Sequence, residues 1–115
     1  MKSFLLLLHE PVDALPDITP DDMQRIIERY NAWSNDLAEK GRLEGGSKLV
    51  DGEGRVLVAN DDDLMVTDGP YAEAKEVIGG IFRILADDYD DAIALSRTCP
   101  HLDFGKIEIR EIDPV

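Results

Sequence analysis

Residues 4–8 read Phe-Leu-Leu-Leu-Leu, and Glu10-Pro11 follows almost at once. Five apolar residues before a proline are too few for a helix, so residues 3–9 are expected to form a buried strand. Successive side chains of a strand point to opposite faces. Phe4, Leu6 and Leu8 therefore share one face, Leu5 and Leu7 the other, and both faces need cover. The run also falls short of the roughly 7–15 apolar residues of a secretory signal. Nothing approaches the ~18 of a membrane span, so no membrane partner and a cytoplasmic location are expected.

The rest of the chain supplies little cover. Residues 11–20, PVDALPDITP, hold three prolines and read as a loop. Thr19 is suited to cap a helix with Pro20 in its first position and Asp21 and Asp22 in its positive first turn. Met23, Ile26, Ile27, Tyr30, Trp33 and Leu37 then recur at three and four residues as one apolar stripe, and Gly41 ends the helix near residue 40. Leu43–Val50 and Arg55–Ala59 read as two strands joined in a hairpin by the Asp51-Gly52-Glu53-Gly54 turn. Asn60–Asp63 reads as an acidic loop, without the glycine and later glutamate of a calcium loop. Leu64–Thr67 is a short strand, residues 78–85 another. Asp87 and Asp88 cap a second helix carrying Tyr89, Ala92, Ile93 and Ser96, which Pro100 stops. Lys106–Ile112 is the last strand.

This order, two β-α-β halves around an antiparallel sheet, predicts one α+β domain over residues 1–115, a ferredoxin-like sandwich with both helices on one face. One of the two sets, Phe4, Leu6 and Leu8 or Leu5 and Leu7, then lies on the face without helices. In a chain of 115 residues with only two helices, a second copy of the sheet is the cover expected, giving a homodimer and a dimeric α/β barrel. The last strand alternates Ile107 and Ile109 with Lys106, Glu108 and Arg110, so its charges are expected on that second face.

Net charge is −13, from 25 acidic and 12 basic residues, which disfavours nucleic acid and anionic membranes. Cys99 is the only cysteine, so no intrachain disulfide forms. Cys99 and His101 point apart at their spacing, and no metal site is expected. The sequence holds no Ser/His/Asp triad pattern, phosphate-binding glycine loop or CxxC motif, and no cofactor is expected.

The most informative stretch is Val66–Gly80, VTDGPYAEAKEVIGG. Gly69-Pro70 stiffens a turn after a strand, and Gly79-Gly80 inside the next strand signals a bulge or a close backbone approach. Together they suggest a shaped loop lining the edge of a cavity. With Cys99-Pro100-His101 and Ile107-Glu108-Ile109-Arg110 further on, the chain resembles the YCII-related superfamily, in its DGPF subgroup. Tyr71 stands where the family usually has phenylalanine, and Ala74 where threonine is common. The resemblance covers nearly the whole chain and implies a dimeric α/β barrel. Genes of the subgroup often sit near those of extracytoplasmic-function sigma factors. Relatives proposed to be enzymes carry a histidine early in the first helix, but DDMQRIIERY has none.

Two functions follow as expectations. In the first, the dimer binds or transforms a small organic molecule, such as a carboxylate, with Asp68 and His101 as candidate acid–base groups. Gly69, Pro70, Tyr71, Glu73, Lys75, Arg83, Arg110 and His9 are the candidate substrate-binding residues. Each arginine is a lone cation in a mostly apolar strand, expected to pair with Glu108, Asp68 or an anionic ligand. In the second, the same dimer presents the Asp-Gly-Pro-Tyr loop to a protein regulator.

Overall fold

The computed structural model describes residues 1–13, 17–69 and 75–115. Helix α1, Pro20–Glu39, begins as its sequence dictates, with the Thr19 hydroxyl accepting from the Asp22 N–H at 3.1 Å. It ends in a Schellman turn: Gly41 takes φ 71°, its N–H donates to Ala38 O, and the Arg42 N–H donates to Leu37 O. The 3.6-residue stripe turns Trp33 and Leu37 into the core.

Four strands form one antiparallel sheet: β1 (Lys2–Pro11), β2 (Leu43–Lys48), β5 (Glu76–Ala86) and β6 (Lys106–Glu111), in the spatial order β2-β5-β1-β6. That order and the two helices agree with a ferredoxin-like α+β fold. Phe4, Leu6 and Leu8 face the helices, in register with Ile84, Phe82 and Gly80 of β5, and with Glu111, Ile109 and Ile107 of β6. Trp33 stacks edge-on against Phe82, ring centres 5.0 Å apart. Helix α2, Tyr89–Ser96, closes the other end of the core. Asp88 caps it at 2.8 Å, and Tyr89 packs on Phe4 while its hydroxyl accepts from the Glu111 N–H.

The expected hairpin between the second and third strands does not form. β2 joins the sheet through β5, and the Leu49–Gly54 segment carries the chain away from it. β3 (Arg55–Asn60) pairs instead with β4 (Asp63–Asp68) in a separate two-stranded ribbon. The stretch read as an acidic loop, Asn60–Asp63, is that ribbon's tight turn. Asp61 there adopts φ 54°, a left-handed conformation that aspartate tolerates better than most residues. The ribbon won because RVLVAN and DLMVTD match each other in length and apolar content, whereas LEGGSK offers β3 almost nothing to pack on.

The second face of the sheet carries Leu5 and Leu7 along its centre. Leu5 lies between Arg83 and Arg110, and Leu7 between Ile81 and Glu108. Among the described residues no helix covers this face. The molecule is accordingly flat, 48 × 44 × 18 Å, with a radius of gyration of 16.2 Å where a compact chain of this length has about 13 Å. No helix among the described residues is long and apolar enough to cross a membrane.

Candidate functional site

A cleft of about 1210 Å³ opens between the first four turns of α1, the ends of β1, β2 and β5, and the base of the ribbon. Its origin is local. On the helix-facing side of the sheet, the rows toward Trp33 and Tyr30 carry Gly46 and Gly80, where Leu43, Ile84 and Phe4 fill the core lower down. A Cβ at Gly46 would fall 2.5 Å from the Phe82 ring, so that ring lies directly on the bare backbone of β2. Gly80 brings its Cα close to β2, where an added Cβ would stand 3.1 Å from the Ser47 carbonyl. Gly79 is the extra residue of a β-bulge, since Leu8 pairs with Gly80 and His9 with Ile78. The Glu10 carboxylate lies over Gly79.

At the inner end of the cleft, three groups form a chain of hydrogen bonds. The Tyr30 hydroxyl is 2.9 Å from His101 Nδ1, and His101 Nε2 is 2.7 Å from the backbone carbonyl of His9. A carbonyl only accepts, so Nε2 carries a proton and donates it. In the neutral ring Nδ1 is then the acceptor, and Tyr30 is its donor. Burial raises the pKa of Tyr30, helped by Cys99 and Glu10, so its proton stays in place to be donated. His101 itself is 2% exposed, within the short 3₁₀ turn Pro100–Asp103. Its two ring nitrogens tie that turn to α1 and β1. Neighbouring Cys99 is a buried free thiol, its pKa pushed up by burial.

The residues singled out in the sequence fall into three places. His101, Gly69 and the backbone of His9 border the cleft; the Gly69 N–H donates to Gly54 O at 2.9 Å. Asp68 ends β4 with its side chain 93% exposed and 3.4 Å from Arg55, beside a shallow depression of about 570 Å³. No hydrogen bond or ion pair joins it to His101. Lys75 is exposed, and its carbonyl accepts from the Val12 N–H. Pro70, Tyr71 and Glu73 lie outside the described residues.

The side chains of His9, Arg83 and Arg110 occupy the second face of the sheet. His9 Nε2 is 2.9 Å from Glu108, and Arg83 Nε 3.3 Å from Glu44. Glu44, not Glu108 or Asp68, is therefore the partner of Arg83. Its carboxyl is held below the usual range by the Ser3 hydroxyl first and by Arg83 second, against a desolvation that raises it. Arg110 has no ion-pair partner among the described residues. Nor do three His, Cys, Asp or Glu side chains converge there as a metal site would require.

Tyr30 and Glu10 were not singled out by the sequence. Tyr30 sits on the apolar stripe, where an aromatic reads as core, and only the glycines opposite hint that nothing fills the space beneath it.

A search of curated proteins finds no match. The sequence model of the YCII-related domain family matches residues 2–115, essentially the whole length. The chain belongs to the YCII-related domain family.

Proposed function

We propose that this chain, a DGPF-type member of its family, works as a homodimeric α/β barrel that binds a small organic molecule in the cleft beneath α1. The observation that carries the reading is the Tyr30–His101–His9 chain at the inner end of a largely apolar cleft. With its proton committed to His101, the Tyr30 oxygen keeps its lone pairs for a ligand. The matching ligand group is a donor, a hydroxyl or an amine, and Glu10 beside it favours the same sign. A carboxylate elsewhere on the ligand would sit away from Glu10, toward Arg55 at the ribbon base. The walls suit an apolar body, and the volume somewhat exceeds the ~300–1,000 Å³ usual for such sites. The cleft is bounded by Gly69 and Glu76, the residues on either side of the Pro70–Lys75 segment.

The dimer rests on surface. A compact protein of 12.8 kDa exposes about 6,300 Å², and this one exposes 8093 Å². The excess, roughly 1,800 Å² per chain, is what one protomer contributes to an obligate dimer interface.

Binding is tested with N-phenyl-1-naphthylamine, an apolar body with one N–H donor. Expected are saturable binding, one probe per chain, amide NMR shifts confined to Tyr30, Asn31, Ser34, Gly80 and their neighbours, and loss of binding in Ser34→Phe. Shifts confined to the ribbon, or binding unchanged in Ser34→Phe, would refute the cleft as the site.

A further inference from the structure

We infer that the β3–β4 ribbon is a dimerisation arm: in the homodimer proposed above, on which this inference rests, each ribbon lies across the partner's cleft rim and closes it. A ribbon of two strands standing alone is marginal in water, and this one is apolar on both faces. One face carries Leu57, Leu64 and Val66, the other Val58 and Met65, and all five are 48–60% exposed. Neither face is built for solvent. The Arg55–Asp68 pair and the Gly69–Gly54 hydrogen bond close the ribbon's base between its own two strands, and neither ties it to the four-stranded sheet.

The second large group of uncovered apolar residues is on the cleft rim. Val12, Met23, Ile27 and Val50, from three separate segments, are all exposed, Val50 to 71%. The chain thus has one apolar surface that projects and one that is hollow. It has no further element among its described residues to satisfy either. Two copies related by a two-fold axis satisfy both at once, ribbon of one on rim of the other and the reverse, which is a closed and self-limiting contact. A partner of different chemistry that met one of these surfaces would leave the other bare in each complex. The roughly 1,800 Å² of excess surface includes both surfaces and the open sheet face, enough for an interface of the obligate class. On this arrangement the cleft is incomplete in one chain, because its outer wall comes from the partner's ribbon.

The test uses the full chain in two experiments. Sedimentation equilibrium compares wild type with Leu57→Glu/Val66→Glu, a directly opposed pair on one ribbon face. Wild type is expected to be a dimer, and the double variant to dimerise at least 100-fold more weakly while the amides of the four-stranded sheet keep their hydrogen-exchange protection. In the second experiment, p-benzoylphenylalanine replaces Leu57 in an equal mixture of ¹⁴N- and ¹⁵N-labelled chains. Irradiation is expected to join the ribbon of one isotopic form to α1 of the other. A dimer indifferent to the two glutamates, or crosslinks confined to one chain, overturns the arm and leaves a sheet-to-sheet dimer standing. A monomeric wild type overturns both, and another protein then becomes the natural occupant of these surfaces.

Discussion

Replacing Tyr30 by phenylalanine removes one oxygen and changes little else, so its cost reports on the hydrogen bond to His101 alone. His101 is 2% exposed and its Nδ1 would lose its partner at 2.9 Å. A buried acceptor left without a donor costs about 1–3 kcal/mol. Because Tyr30 is only partly buried and borders the cleft, water can replace some of the lost interaction, and the lower part of that range, about 1–2 kcal/mol, is expected. At roughly 2.1 cal/mol/K per residue, the unfolding entropy of this chain is about 240 cal/mol/K, so the melting temperature should fall by about 4–8 °C at fixed protein concentration. A double-mutant cycle separates the bond from other effects of the substitution. In a His101→Ala background the Tyr30 hydroxyl has no ring to bond to, and Tyr30→Phe should cost almost nothing. The coupling free energy from urea melts should therefore equal nearly the whole cost of the single change. A coupling below about 0.5 kcal/mol, within the scatter of independent sites, would refute the relay and with it the argument for a free Tyr30 lone pair.

Two further changes probe the frame around the site. The Arg42 guanidinium at 2.8 Å, assisted by the Asp87 N–H at 2.9 Å, holds the Asp91 carboxyl below its ordinary range. Its stabilising contribution is therefore present above the unfolded-state value near 3.9 and lost as pH falls through the folded value. The stability advantage of wild type over Asp91→Asn should be full at pH 7 and shrink below about pH 4 in a pH series of urea melts; an advantage unchanged at pH 2 would contradict the assignment. Gly105→Ala would drive a methyl into the His9 carbonyl, the same oxygen that accepts from His101, and should cost about 2–4 kcal/mol. Gly45→Ala, where a Cβ meets nothing within 4 Å, is the control and should stay within about 0.5 kcal/mol in the same melts.

Much of the frame was legible because it is local. Thr19-Pro20 and Asp88 announce helix starts through contacts three residues long, and the alternation of Lys106–Glu111 places Ile107 and Ile109 on the core side without knowledge of any partner. The strand pairing of β2 was not legible. The glycine-rich 51–54 stretch reads as a hairpin turn and 60–63 as an acidic loop, so local turn chemistry favoured the wrong pairing. The outcome turned instead on which strands have enough apolar surface to hold each other. The site was hidden for the same reason. His101 meets Tyr30 across 71 residues of chain and His9 across 92, and neither spacing leaves a mark in sequence. Gly79-Gly80 pointed toward a cavity edge and His101 toward its chemistry, but neither pointed to Tyr30 or to the purpose of the missing side chains.

That purpose follows from reading the sheet row by row along α1. At the level of Leu37 the row holds Leu43, Ile84 and Phe4, and the core is full. At Trp33 the row holds Gly46, Phe82 and Leu6, and the Phe82 ring fills the place of the missing side chain. One turn further, at Tyr30, the row holds Lys48, Gly80 and Leu8, and no second aromatic replaces what glycine omits. A tyrosine beside the bare Gly80 is only partly packed against the core, and it satisfies its hydroxyl on His101. The empty volume and the polar chain at its end therefore have one cause, the loss of side-chain bulk along two strands beneath a helix that continues over them. Filling the floor would abolish both together, which is why the cleft reads as a site in the design of the fold and not as a packing flaw.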